Sequence, residues 1–118
     1  MQEFRVWNKE YQDWLQDDEY VINSNGDVYV LDGREVSYQD YDAILEQYSG
    51  FKDKNDVKIY TGDIVEVVSQ YWGQLGNKYR VQIKNGSFLV KYDTLFNIHE
   101  SLLVIGNIHE NLDLLEEG

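Results

Sequence analysis

The stretch LEQYSGFKDKNDVKIYTGDIVEV, Leu45–Val67, decides the fold, because nearly every residue in it punctuates or extends the backbone. Tyr48-Ser49-Gly50 closes one element, Lys52-Asp53-Lys54-Asn55-Asp56 makes a polar turn, and Lys58-Ile59-Tyr60-Thr61-Gly62-Asp63-Ile64-Val65-Glu66-Val67 enters a strand with alternating apolar residues. The turn invites a calcium reading, since calcium loops begin Asp-x-Asn. The reading fails at the later positions, where Val57, Lys58 and Ile64 stand in place of a ligand, the invariant glycine and the closing glutamate. What remains is a junction of structural residues.

C-terminal to that junction the pattern is regular. Asp63–Ser69 reads as a strand, followed by a loop through Trp72-Gly73-Gln74-Leu75-Gly76-Asn77. Lys78–Lys84 then alternates, with Tyr79, Val81 and Ile83 on one face and Lys78, Arg80, Gln82 and Lys84 on the other. Asn85-Gly86 turns the chain into a strand over Ser87–Tyr92, Ser101–Ile108 supplies another, and Glu110–Glu117 is an acidic tail with a helical turn or two. Short strands joined by glycine turns suggest a small barrel, and Gly62-Asp63-Ile64-Val65 resembles the opening of SH3-like barrels.

N-terminal to the junction, Phe4–Trp7 alternates as a strand, and residues 8–16 fit either a helical face or a hairpin returning through Trp14-Leu15. Glu19–Asn23 and Asp27–Leu31 flank Ser24-Asn25-Gly26, a strong hairpin signal. Ser37-Tyr38-Gln39-Asp40 resembles a helix cap, and Tyr38, Tyr41, Ile44, Leu45 and Tyr48 recur at helical spacing. A turn or short helix over 38–46, extended by Ile44, is expected.

Composition sets limits. With 118 residues the chain forms one compact domain or two small subdomains, and aromatic richness (ten Tyr, four Phe, three Trp) favours strands. The absence of cysteine excludes disulfides, thiolate metal sites and cysteine nucleophiles. No stretch approaches the roughly 20 apolar residues of a membrane span, and the N-terminus lacks a signal-peptide pattern, so a cytoplasmic protein without membrane association is expected. The net charge of −12 opposes non-specific nucleic-acid binding. Its distribution is uneven: residues 1–51 carry −9, 52–91 carry +3 and 92–118 carry −6.

Three separated patches carry a resemblance. Phe4-Arg5-Val6-Trp7 opens the chain, Gly50-Phe51-Lys52-Asp53 leads to Ile59-Tyr60-Thr61-Gly62-Asp63-Ile64-Val65, and Val104-Ile105-Gly106-Asn107-Ile108-His109-Glu110-Asn111 closes it. Together they resemble the YopX family of phage and prophage proteins, although Asp56 stands where that family usually has glycine and Leu112 where proline is common. The resemblance implies a small, mainly β protein with a barrel-like C-terminal part, carried by phages or prophages and working in the bacterial host's cytoplasm. It supplies no catalytic or binding residues. The patches read physically as core at Trp7, Ile59, Tyr60, Ile64, Val65 and Ile105, and as turns or close approaches at Gly50, Gly62 and Gly106. The expected fold is therefore mainly β with a minor α component: an N-terminal β-hairpin subdomain over 1–50, and a small SH3-like barrel with a short acidic tail over 51–118.

Candidate chemistry is sparse. Asn97-Ile98-His99-Glu100 and Asn107-Ile108-His109-Glu110 form a near-repeat, but His and the following Glu face opposite ways in extended chain, so solvated or hydrogen-bonded histidines are expected rather than metal ligands. Asn85-Gly86-Ser87 matches a glycosylation acceptor and reads as a turn. Nucleophile elbows, phosphate loops and metalloprotease motifs are missing, so no enzymatic activity, catalytic residue or cofactor is expected. One functional feature stands out: the cations Lys78, Arg80, Lys84 and Lys91, near the aromatics Tyr79, Phe88 and Tyr92. These could contact nucleic acid, yet Tyr79 faces away from the cations, so a solvated or partner-facing stripe is the simpler reading. The leading expectation is a non-enzymatic interaction protein that binds a host or phage protein, with homo-oligomerisation as one form of that role; nucleic-acid binding through the 78–91 hairpin is the alternative.

Overall fold

A computed structural model describes residues 3–91 and 93–115; Tyr92 and the 116–117 end of the expected acidic tail lie outside the described residues. Among the described residues the fold is mainly β, with one short α-helix. It divides into two compact units, the first Glu3–Glu46 and the second beginning at Gln47.

In the first unit, β1 (Phe4–Asn8) and β2 (Asp13–Leu15) form an antiparallel hairpin that pairs Trp7 with Trp14. This settles the 8–16 segment as a hairpin. Asn8 is buried and explains the tight turn: its Oδ1 accepts the Tyr11 N–H at 2.7 Å and its Nδ2 donates to Asp40 Oδ2 at 2.9 Å. The two indoles meet edge to face at 5.0 Å. Arg5 lies 4.4 Å over the Trp14 ring and donates from Nε to the buried Glu46 carboxylate at 2.9 Å, so the opening Phe-Arg-x-Trp patch supplies a counter-charge to a buried carboxylate.

The same unit holds β3 (Tyr20–Ile22), β4 (Val28–Asp32) and β5 (Glu35–Asp40), an antiparallel three-stranded sheet. Asn23 builds the first turn by accepting the N–H groups of both Asn25 and Asp27 on its Oδ1. Of the turn or short helix expected over 38–46, the structure has the turn and the extension by Ile44, and no helix. Tyr38–Asp40 is strand, with Tyr38 opposite Val30 and Asp40 opposite Val28, and the chain turns at Tyr41-Asp42 before extending again from Ile44. Ladder pairing with β4 outweighs the local helical spacing, which was carried by tyrosines that suit strands equally well.

The division between units falls inside β6 (Ile44–Lys52). Its second half pairs with β7 (Lys58–Tyr60) across an irregular register, bulged where Gly50 sits at φ +86°. The polar turn between them is built by Asp53, whose buried carboxylate accepts three backbone N–H groups: Asn55 at 2.8 Å, Val57 at 2.9 Å and Val104 at 2.9 Å. Asp56 adopts φ +68° in this turn, which is the conformation that the glycine usual in the family would take without steric penalty.

The strand expected over Asp63–Ser69 is β8 (Asp63–Val67), and Thr61-Gly62 turns the chain into it from β7. β9 (Lys78–Arg80), β10 (Gln82–Lys84), β11 (Ser87–Val90), β12 (Asp93–Thr94), helix α1 (Leu95–Ile98), a 3₁₀ turn and β13 (Leu102–Asn107) follow, then a 3₁₀ turn at Leu112–Leu115. They form two three-stranded sheets, β13-β8-β9 and β10-β11-β12. The expected SH3-like closure is not present as one ring of paired strands among the described residues. The core collects Ile59, Val65, Val67, Tyr79, Val81, Val90, Leu95, Ile98 and Leu102.

The closing patch is explained by one contact. A Cβ on Gly106 would lie 2.6 Å from Asn111 Oδ1 and 2.7 Å from its Cγ, while Asn107 Oδ1 accepts the N–H groups of His109 and Glu110 to tighten the same turn. Gly106→Ala is therefore expected to destabilise the protein by about 2 kcal/mol in urea unfolding, and removing the obstructing side chain in Gly106→Ala/Asn111→Ala should recover part of that loss relative to the sum of the single changes. Strict additivity of the two would show that the asparagine does not set the glycine requirement.

Candidate functional site

The cations nominated from the sequence do not form one stripe. Lys78 and Arg80 sit on β9 beside β8, Lys84 sits on β10 beside β11, and Lys91 follows β11 in a turn. The chain breaks between the two sheets at Val81, whose N–H donates to Asp63 O and whose carbonyl accepts the Gly62 N–H. Lys78 is half-buried, whereas Arg80, Lys84 and Lys91 are exposed. Tyr79 is core on the opposite face, and Ile83, expected beside Tyr79 and Val81, is 49% exposed.

The histidine repeat folds into two unlike structures. His99 lies in the 3₁₀ turn after α1, its Nδ1 2.7 Å from the Lys52 carbonyl and its ring 5.0 Å from Phe51. His109 lies in the turn that follows β13, held by Asn107. Among the described residues no three His, Asp or Glu side chains gather in a metal-binding group, and no helix is long and apolar enough to cross a membrane.

Two aromatic surfaces emerge that the sequence reading did not single out. The first is a groove of about 230 Å³ lined by Phe51, Gly86, Ser87, Phe88, Thr94 and Phe96. Its lining includes a T-shaped pair, Phe51 and Phe96, at 6.2 Å, and Phe96, on α1, is 74% exposed. The Asn85-Gly86 turn forms one lip with both residues at positive φ, the geometry of a two-residue hairpin turn. Phe51 and Phe96 lie 45 positions apart, so only folding brings them together.

The second surface is the loop between β8 and β9. Trp72 is 87% exposed and Leu75 is also exposed, and Trp72 adopts φ +48°, a left-handed conformation disfavoured for a bulky side chain. The loop is nevertheless well anchored. Tyr79 Oη donates to Gln74 Oε1 at 2.7 Å and accepts from Asn77 Nδ2 at 3.0 Å; Val67 N–H donates to Asn77 O and Gly76 N–H to Val67 O. At the loop's start Tyr71 Oη donates to Asp93 Oδ2 at 2.5 Å, and Asp93 Oδ1 accepts from Asn97 Nδ2 and the Thr94 N–H. The tyrosine and asparagine bonds hold the Asp93 carboxyl below the ordinary carboxylate range, outweighing the opposing effect of burial. The same bond to Asp93, helped by burial and the carboxylate charge, raises the Tyr71 phenol above its usual value.

Stability follows from these directions with opposite signs. The depressed Asp93 contributes stability above the ordinary aspartate value of about 4, lost as pH falls through its native value; the raised Tyr71 contributes stability below about 10, lost as pH rises through its native value. The difference in unfolding free energy between the wild type and Tyr71→Phe should accordingly be greatest from about pH 5 to pH 9 and shrink at both extremes. A difference that stays constant with pH in denaturant titrations would show that the pair does not couple.

Comparison with known proteins bears on the whole chain rather than on either surface. No curated protein matches the sequence. Among solved structures, the crystal structure of protein EF1440 from Enterococcus faecalis is similar over 98% of each chain with a TM-score of 0.67 and 20% identity, a likeness of fold. The family model described as YopX protein matches residues 3–116, spanning all three sequence patches, and the chain belongs to the YopX family.

Proposed function

We propose that this protein is a non-enzymatic protein-interaction module, a phage or prophage accessory factor of the bacterial cytoplasm that binds a host or phage protein. The observation that carries the reading is Trp72: an indole 87% exposed, held at φ +48°, on a loop anchored at both ends by tyrosine hydroxyls. A left-handed backbone at a non-glycine residue costs roughly 1 kcal/mol, and exposing an indole forgoes the burial that makes aromatics stabilising. Folding alone gives no reason to keep that residue there. Binding does, because tryptophan on a rigid support loses little conformational entropy when a partner covers it and is enriched among residues that dominate interface energetics.

The test separates binding from stability. Trp72→Asn replaces the indole with a residue that tolerates the left-handed region, so unfolding free energy should stay within about 0.5 kcal/mol of the wild type or rise. Wild type and variant, each immobilised and exposed to extract of the host cells, should differ in one respect: a protein recovered with the wild type should fall about tenfold or more with the variant, a loss of about 1.4 kcal/mol or greater. Equal recovery of every bound protein by both would overturn the reading.

A further inference from the structure

The residues that form the two aromatic surfaces carry no charge. Val68–Asn77, the ten residues carrying Trp72 and Leu75, contain no charged side chain, in a protein in which 27% of residues are charged. The six residues lining the groove, Phe51, Gly86, Ser87, Phe88, Thr94 and Phe96, are uncharged as well. The chain as a whole carries −12. Two copies carry a net repulsion, and contact through these uncharged residues adds no like-charge pair to it.

From this we infer that the groove receives Trp72 of a second copy of the chain. The reading rests on the interaction-module proposal and gives that module a partner. The match is chemical on both sides. The groove has the size of one large side chain, and its Phe51–Phe96 edge-to-face pair offers both ring faces and ring edges to an indole. The indole is already exposed and its loop already fixed, so insertion needs little ordering. Neutral lining also argues against nucleic acid as the occupant: a base stacked there would find no cation among the lining residues for its phosphate. Trp72 and the groove are different patches, so every contact is made by unlike residues of the two copies.

Sedimentation velocity from about 10 µM to about 1 mM chain, at about 0.05 M and about 0.5 M sodium chloride, reads the association directly. The wild type should gain mass with concentration, and more strongly at the higher salt, because screening removes the repulsion between two −12 chains. Trp72→Asn and Phe96→Ala, both at exposed positions, should keep the wild-type melting temperature and remain monomeric when studied alone. An equimolar mixture of the two should associate again, since Trp72→Asn retains an intact groove and Phe96→Ala retains the tryptophan. A wild type that stays monomeric across the range overturns the inference, as does a mixture that stays monomeric while the wild type associates. Binding of an oligodeoxythymidylate that requires Phe96 and weakens with salt would also overturn it, assigning the groove to nucleic acid. If self-association fails while Trp72-dependent capture of a foreign protein persists, this inference falls and the interaction-module reading stands.

Discussion

The second unit is organised around the backbone of two residues, Gly62 and Asp63. Gly62, at φ +85°, donates its N–H to the Val81 carbonyl and accepts the Ile108 N–H on its own, while Asp63 O accepts the Val81 N–H. The Asp63 carboxylate, on a residue only 1% exposed, accepts the Tyr60 N–H at 2.8 Å, and the adjacent Thr61 exchanges bonds with Gln47 through its N–H and Oγ1. β6, β7, β8, the β9–β10 break and the end of β13 are thereby tied to one turn. A side chain at Gly62 would strain the turn, and loss of the carboxylate would leave a backbone N–H without its acceptor. The most recognisable motif of the family is a structural device in this protein.

Asp53 performs a parallel task for the neighbouring turn, and Gly106 with Asn111 closes the chain's last turn. The central and closing family patches thus resolve into carboxylates and asparagines that satisfy backbone donors, and glycines placed where a side chain would clash or strain, while the opening patch contributes the Arg5–Glu46 ion pair and the Trp7–Trp14 ring contact. The neutral aromatic surfaces lie outside those patches except for Phe51.

Legibility in the sequence followed the range of the interactions. Local signals were readable: Asn25-Gly26 and Asn85-Gly86 turns, the alternation of Phe4–Trp7, and the strand ending in the Gly106 patch. Asp32-Gly33 was an equally good turn signal, and reading it would have placed β5 opposite β4 and decided between the turn and the short helix over 38–46. The break at Val81 was hidden because Lys78–Lys84 keeps a perfect period of two across it; only the bonds to Gly62 and Asp63 divide it. The groove was invisible for a similar reason, since Phe51, Phe88 and Phe96 come from three elements. Trp72 did leave a trace, as a tryptophan in a ten-residue stretch without charge, but exposure and left-handed backbone are properties of the fold.

Native-state amide hydrogen exchange, read residue by residue by NMR, tests the organising role of the Gly62–Asp63 turn most directly. The amides of Gly62, Val81 and Ile108 should be among the slowest in the chain, exchanging only through global unfolding, with the Tyr60 amide on the Asp63 carboxylate protected beside them. Exchange of these four as fast as the exposed Asn25 and Gly86 amides would contradict the account, showing that the unit is held together elsewhere.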